Sequence, residues 1–217
     1  TKNVSPYTMK VRLYYTGLRS INLLADITNY VMLEIGQPMH AFDANLVKSI
    51  RVESLEKDED FVTLDGITRH LPVGTLMIKN DKKPVGIMGG LETEIADETT
   101  SLFLESATFD STLIRKTALK IAHRTDASAR YEKTLDPEFV KLATSRFIYL
   151  LKENDKDIKV TSSFTDVYLK KYPVINIEID KKFFDRYIGI DIPFETIVET
   201  LKNLKFGVKV NGEKLSV

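Results

Sequence analysis

Between Ile50 and Phe109 short apolar runs are cut apart by turn dipeptides, and this alternation constrains the fold more than any other feature of the chain. Ile50–Leu55, Phe61–Leu64, Leu76–Ile78, Val85–Met88 and Leu102–Leu104 read as strands. The turns Asp65-Gly66, Asn80-Asp81 and Gly89-Gly90 between them are too short for parallel crossovers. An antiparallel sheet or barrel follows. On both sides the period changes to that of helices. One helix is expected from an N-cap at Ser20, with Ile21, Leu24, Ile27, Tyr30 and Val31 on one side, stopping before Gly36 and Pro38. A second opens at Ser111 and carries Leu113, Ile114, Ala118 and Ile121. A third has Asp136 as N-cap and Pro137 in first position, followed by an apolar stripe from Phe139, Val140, Leu142, Ala143 and Phe147 to Leu150 and Leu151, which is expected to be core. The expected class is α+β, a mixed and mainly antiparallel sheet or barrel packed with helices.

After a charged loop at Lys152–Lys159 the texture changes near residues 170 to 175. A strand at Val174–Ile179, a helix introduced by Pro193 and Phe194 and closed by Gly207, and a hairpin at Asn211-Gly212 form a plainer unit. The chain stops in the second arm of that hairpin, so it reads as a piece of something longer.

Composition excludes several classes. There is no Cys among the 217 residues, so disulfides, thiolate metal sites and cysteine nucleophiles are out, and a reducing compartment is the expectation. No apolar run reaches the length of a membrane span and the first residues lack a leader, so a cytoplasmic protein with no membrane partner is expected. Lys and Arg balance Asp and Glu at 31 each, so any nucleic-acid contact must be local. His40, His70 and His123 form no metal-ligand pair, and neither a phosphate loop nor a serine-hydrolase elbow is present.

Three motifs remain that could carry chemistry. Gly36-Gln37-Pro38-Met39-His40-Ala41-Phe42-Asp43 is a helix exit bearing an imidazole, which Asp43 or a backbone carbonyl could simply hold. Val85-Gly86-Ile87-Met88-Gly89-Gly90 is a turn, or a place where a ligand presses on backbone, and it is followed by Leu104-Glu105-Ser106-Ala107. There Glu105, among apolar strand neighbours, must face water or form the polar floor of a pocket. Arg124-Thr125-Asp126-Ala127-Ser128-Ala129-Arg130-Tyr131-Glu132-Lys133 could be an exposed, ion-paired loop.

In order, these motifs together with Ser20-Ile21-Asn22, Asp26–Met32 and Thr63-Leu64-Asp65-Gly66 closely resemble the B3/B4 region of the bacterial-type phenylalanyl-tRNA synthetase beta subunit, over about residues 4 to 170. Residues 173–217 resemble the opening of that subunit's next domain, B5, mainly through Leu204-Lys205-Phe206-Gly207-Val208. The resemblance implies domains at 1–170 and 173–217 and a module that hydrolyses tyrosine misattached to tRNA(Phe), within a ligase that uses ATP and magnesium. It implies as partners tRNA(Phe) and the alpha subunit, in an alpha2beta2 heterotetramer, with no cofactor or metal in this chain. A tRNA- or alpha-binding scaffold without catalysis is the alternative. Carried over by residue, the pocket falls on Asn29, Gly86, Gly89, Glu105 and Ala127 for substrate binding, with His40 and Thr125 placing the ester or the attacking water. A buried Glu105 would accept the tyrosyl hydroxyl bond that phenylalanine cannot offer. The sequence departs from the family in three ways, one being a glycine loop, Pro84-Val85-Gly86-Ile87-Met88-Gly89-Gly90, shorter than is usual there. Val11–Tyr15, read as an opening strand, runs almost directly into Gly17, and His123 and Thr134 stand where an apolar residue and a glycine are usual.

Overall fold

In the computed structural model the described residues are 4–63, 66–80, 83–86, 95–96, 99–169 and 171–217, with backbone only over 83–86. The chain folds as two compact units, Thr1–Val160 and Thr161–Val217.

The first unit starts with helix α1, Tyr7–Tyr15, where an opening strand was expected. Met9 and Leu13 are both buried while Val11 between them is only half-buried and Tyr15 is exposed, which is the spacing of a helix face and not the every-second-residue burial of a strand. Helix α2, Leu23–Ile35, is capped by Asn22, whose side chain accepts from the Ala25 amide at 2.9 Å. Ser20, the expected cap, instead donates to Asp26, a fully buried carboxylate in the first turn of α2 that also accepts from Ser5 Oγ at 2.5 Å and from the Ile21 amide at 2.8 Å. Asp26 thus gathers the segment before the helix onto its N-terminus, where a carboxylate suits the dipole. Gly36 ends α2 at φ 87°, the left-handed conformation that favours glycine, and turns the chain straight into strand β1, Met39–Asp43.

The β-rich region comprises β2 Arg51–Ser54, β3 Glu59–Val62, β4 Thr68–Leu71, β5 Leu76–Asn80, β6 Lys83–Gly86 and β7 Leu102–Ser106. All its pairings are antiparallel, in the orders β1-β7, β2-β5-β6 and β3-β4. Small separate sheets stand where a barrel was an option, and no closed barrel forms among the described residues. The Gly89-Gly90 turn lies outside those residues.

Helices α3, Ser111–Lys120, and α4, Asp126–Tyr131, follow β7. Helix α5 runs over Phe139–Asn154. It begins later than the Asp136-Pro137 signal suggested, because those residues form a turn of their own in which Asp136 accepts from the Glu138 amide at 3.0 Å. It also extends into the segment expected as a charged loop. Its buried stripe is Ala143, Phe147 and Leu151, while Phe139 and Leu142 are exposed, so the apolar run is narrower as core than its composition suggested. That stripe packs with Met9, Leu13, Leu23, Ile27 and Val31 into the main core, which also takes Met39 of β1. The bidentate pair of Arg146 with Glu34, at 2.7 and 2.8 Å, fastens α5 to α2 at the rim.

The second unit holds β8 Glu178–Asp180, α6 Lys181–Ile188, α7 Phe194–Asn203, β9 Lys209–Asn211 and β10 Lys214–Ser216, with strand order β8-β10-β9. Only the end of the expected Val174–Ile179 strand forms, since Val174 and Ile175 are exposed and pairing starts where Ile177 exchanges backbone bonds with Val217. Lys205, at φ 69°, makes the left-handed turn after α7 that was assigned to Gly207.

Candidate functional site

The first motif, the Leu104–Ala107 part of the second and Tyr131 of the third meet at the β1-β7 ladder. The register sets His40 directly opposite Glu105, with Phe42 opposite Phe103 on the same face. The alternate residues Met39, Leu102 and Leu104 point to the helical core, so strand alternation sends the imidazole and the carboxyl to the other side together. Phe42 and Phe103 join Val47, Ile50, Ile78 and Phe109 there in a second apolar cluster. An apolar wall thus adjoins the polar pair, and the rings of His40 and Phe42 lie 6.2 Å apart.

His40 as a residue is half-buried, yet its Nε2 is sealed from solvent and has no hydrogen-bond partner among the described residues. Both carboxyl oxygens of Glu105 are in the same condition. Burial disfavours the charged form of each group and moves them in opposite directions: His40 is pulled down to about 4 and Glu105 is pushed up to about 8. At neutral pH the pair therefore consists of a neutral imidazole and a largely protonated carboxyl. Asp43 does not hold His40. It lies on the opposite face of β1 and accepts from the Asn45 amide at 2.7 Å and from Thr99 Oγ1 at 2.8 Å, bonds that keep its carboxyl below the usual range.

The segment 124–133 contains a helix in place of the loop expected for it. Thr125 is the N-cap of α4: its Oγ1 accepts from the Ser128 amide at 3.1 Å, and its amide donates to Ser128 Oγ at 2.8 Å, a reciprocal capping box. The expected ion pairs are present as well, Arg124–Glu132 at 2.5 Å and Arg130–Asp126 at 3.4 Å. Ala127 is half-buried and precedes Tyr131 by one helical turn.

Two residues that sequence reasoning left without a role tie the motifs together. Tyr131 is buried; its hydroxyl donates to the Pro38 carbonyl at 3.3 Å, and its ring meets Phe109 edge-on at 4.9 Å. Its hydroxyl is held well above its ordinary pKa by burial first and then by the nearby Glu105. Gln37, fully buried, donates to the carbonyls of Pro38 at 3.0 Å and Ala107 at 2.7 Å, stitching the α2-β1 corner to the exit of β7. The available signals were a glutamine between Gly36 and Pro38, which can be buried only if bonded, and the i, i+4 spacing of Ala127 and Tyr131.

The remaining candidates are less constrained. Asn29 is half-buried on α2, and among the described residues no hydrogen bond links its amide to His40 or Glu105. Gly86 ends β6 opposite Ile78, a member of the apolar wall. Gly89 lies outside the described residues. His70 belongs elsewhere, exposed between Asp60 at 2.9 Å and Asp58 at 3.4 Å, which raise its pKa.

Compared with known proteins, residues 1–156 match the family described as B3/4 domain. The chain belongs to the B3/4 domain family. Over nearly its whole length it is 41% identical to the phenylalanine–tRNA ligase beta subunit of Clostridium acetobutylicum, an alignment covering 98% of this chain and 27% of that protein. The beta subunit of Clostridium tetani is 38% identical with the same coverage, and that of Aquifex aeolicus 39% identical over 93% of this chain and 26% of its own length. The chain therefore spans about a quarter of the length of the curated relatives it matches. A solved N-terminal fragment of the phenylalanyl-tRNA synthetase beta subunit from Pyrococcus horikoshii is 13% identical over 89% of this chain and 58% of its own, at a TM-score of 0.36. No helix among the described residues is long and apolar enough to cross a membrane.

Proposed function

We propose that this chain is the editing segment of a phenylalanine–tRNA ligase beta subunit and that its pocket hydrolyses the ester of tyrosine misattached to tRNA(Phe). The observation that carries the reading is the buried, unpartnered carboxyl of Glu105 opposite the buried imidazole of His40. Groups of that kind cost stability where they stand, and a ligand that supplies their missing bonds recovers it. A tyrosyl hydroxyl is such a ligand. The apolar wall of Phe42 and Phe103 beside the pair suits an aromatic ring, and at the proposed pocket's α4 edge the small side chain of Ala127 would take up less space than a larger one. Asn29, Gly86 and Gly89 complete the proposed pocket.

In the reaction water adds to the ester carbonyl, the acyl C–O bond breaks, and tyrosine and the ribose hydroxyl are released. With its pKa near 4, His40 is a weak proton acceptor at neutral pH, so we assign it to positioning the ester or the water through Nε2. Thr125, its hydroxyl engaged in the capping box, would fix the α4 edge of the pocket that places the ester and the water. The ATP, the magnesium and the alpha subunit of the proposed ligase belong to its aminoacylation reaction, and no step of the hydrolysis uses them.

The test is deacylation of Tyr-tRNA(Phe) by the intact synthetase carrying this segment, wild type beside Glu105→Ala, with Phe-tRNA(Phe) as control. Tyrosyl-selective hydrolysis that the variant loses supports the reading. Absence of deacylation in the wild type refutes it and leaves a binding scaffold.

A further inference from the structure

The first acidic residue of the chain is Asp26, and it is buried; before it stand Lys2, Lys10, Arg12 and Arg19 with no compensating charge. Within this stretch α1 turns Met9 and Leu13 inward, and at 100° per residue the opposite side is centred on Tyr7, Val11, Tyr14 and Tyr15. The three tyrosines are 81%, 76% and 84% exposed, and Tyr14 and Tyr15 stand edge to face at 5.8 Å. Lys10 lies at one border of that aromatic strip and Arg12 at the other, and Arg19 follows just beyond the helix. Arg12 is held in place by its bond to the Tyr30 hydroxyl and lies 6.0 Å from the centre of that ring. Glu34, the acidic group nearest to it on α2, is already neutralised by its bidentate pair with Arg146.

We infer that this face of α1 is a docking surface for single-stranded RNA, with Tyr7, Tyr14 and Tyr15 stacking bases and Lys10, Arg12 and Arg19 contacting phosphates. Charge decides among the occupants: a basic border, whose neighbouring acid Glu34 is paired with Arg146, around flat aromatic side chains complements a polyanion carrying exposed π-faces, which is how sequence-tolerant single-strand sites are built. From Tyr7 to Tyr14 the helix rises about 10 Å, which matches about three stacked nucleotides. The chain's overall neutrality requires any nucleic-acid surface to be local, and this face meets that condition. It is separate from the His40–Glu105 pocket and is tested by binding rather than hydrolysis, so its failure and that of the editing reading are distinguishable.

The experiment titrates the chain into a fluorescent octauridylate RNA and follows anisotropy from 50 to 200 mM salt. We expect saturable binding whose log K falls against log salt with a slope of about −2, as three phosphate contacts on a single strand require. Tyr14→Ala/Tyr15→Ala should weaken binding at least tenfold and leave the slope unchanged. Lys10→Gln/Arg12→Gln should bring the slope about 1.4 closer to zero. All four positions are outside the core, and unchanged melting of the variants verifies that the fold is intact. No saturable binding at 50 mM salt, or tyrosine variants that bind like wild type, overturns the proposal. So does a chain that self-associates through the tyrosines without binding RNA, which would make the face a protein interface.

Discussion

Replacing Glu105 by Gln keeps the shape of the side chain and removes its titration, so the pH dependence of stability reports directly on the buried carboxyl. In the unfolded chain the group ionises near its ordinary 4.5; in the folded chain burial moves that to about 8. Below 4.5 both states hold the proton and the group contributes nothing. Between 4.5 and 8 the folded state retains a proton the unfolded state has lost, so stability falls as pH rises, by about 1.4 kcal/mol per unit. His40 has the opposite sign. Its folded pKa of about 4 against an ordinary 6.5 means that acid favours the unfolded, protonated form, so stability falls as pH drops from 6.5 to 4. The two slopes oppose each other between 4.5 and 6.5, and Glu105 acts alone above 6.5. From pH 6.5 to 8 the wild type should lose about 2 kcal/mol that Glu105→Gln keeps. Urea unfolding of both proteins across pH 5 to 9 measures this, the variant correcting for every other titrating group. Parallel curves above pH 6.5 would mean that Glu105 is hydrated or bonded, and the account of the site would fall.

Three further outcomes follow from particular contacts. Thr134 has φ 61°, costly for a β-branched residue, so Thr134→Gly should stabilise the chain by about 1 kcal/mol in denaturant unfolding despite losing the 3.0 Å bond to Ser111 Oγ. Asp26→Ala strands donors from Ser5, Ser20 and the Ile21 amide and should cost about 3 kcal/mol by the same assay, far more than removal of an exposed carboxylate such as Asp157. Ala127→Trp should abolish tyrosyl-ester hydrolysis by the synthetase while far-ultraviolet circular dichroism stays unchanged, because Ala127 is half-buried at the start of α4, outside the apolar core, so the larger ring would fill the proposed pocket without displacing core side chains.

The fold was legible where periodicity was unbroken. The interior of α2 and the β-rich region followed from apolar spacing, because burying one face requires that spacing whatever surrounds it. The ends were harder to read. Ser20 has the chemistry of a cap, yet Asn22 caps α2, since Asp26 competes successfully for the serine hydroxyl. Helix α4 went unread because a short helix has too few apolar positions to show a period, and its start is marked by Thr125 and Ser128, residues equally at home in a turn. In the site, Glu105 was legible as an anomaly, a carboxyl among apolar neighbours. Its position opposite His40 was not, because register across 65 residues of chain is a property of pairing that neither strand contains by itself.

The protonation of Glu105 changes the physics first attributed to it. A buried carboxylate left unpaired by phenylalanine would reject that ring by a full ionic desolvation. In the proposed pocket a carboxyl with its pKa near 8 would respond to phenylalanine by keeping its proton, and what would be forfeited is hydrogen bonding to a neutral group. That is worth about 1 to 3 kcal/mol, a discrimination of roughly 5- to 150-fold. The neutral acid has a compensating property, since its carbonyl oxygen accepts from the phenol while its own proton is available to the phenol oxygen, so both bonding capacities of the tyrosyl hydroxyl can be met by one side chain. Selectivity beyond that range has to come from ionisation, which the phenol bond would favour and the apolar wall oppose. The register of β1 against β7 fixes that side chain opposite His40, with the buried Tyr131 hydroxyl close enough for Glu105 to help raise its pKa.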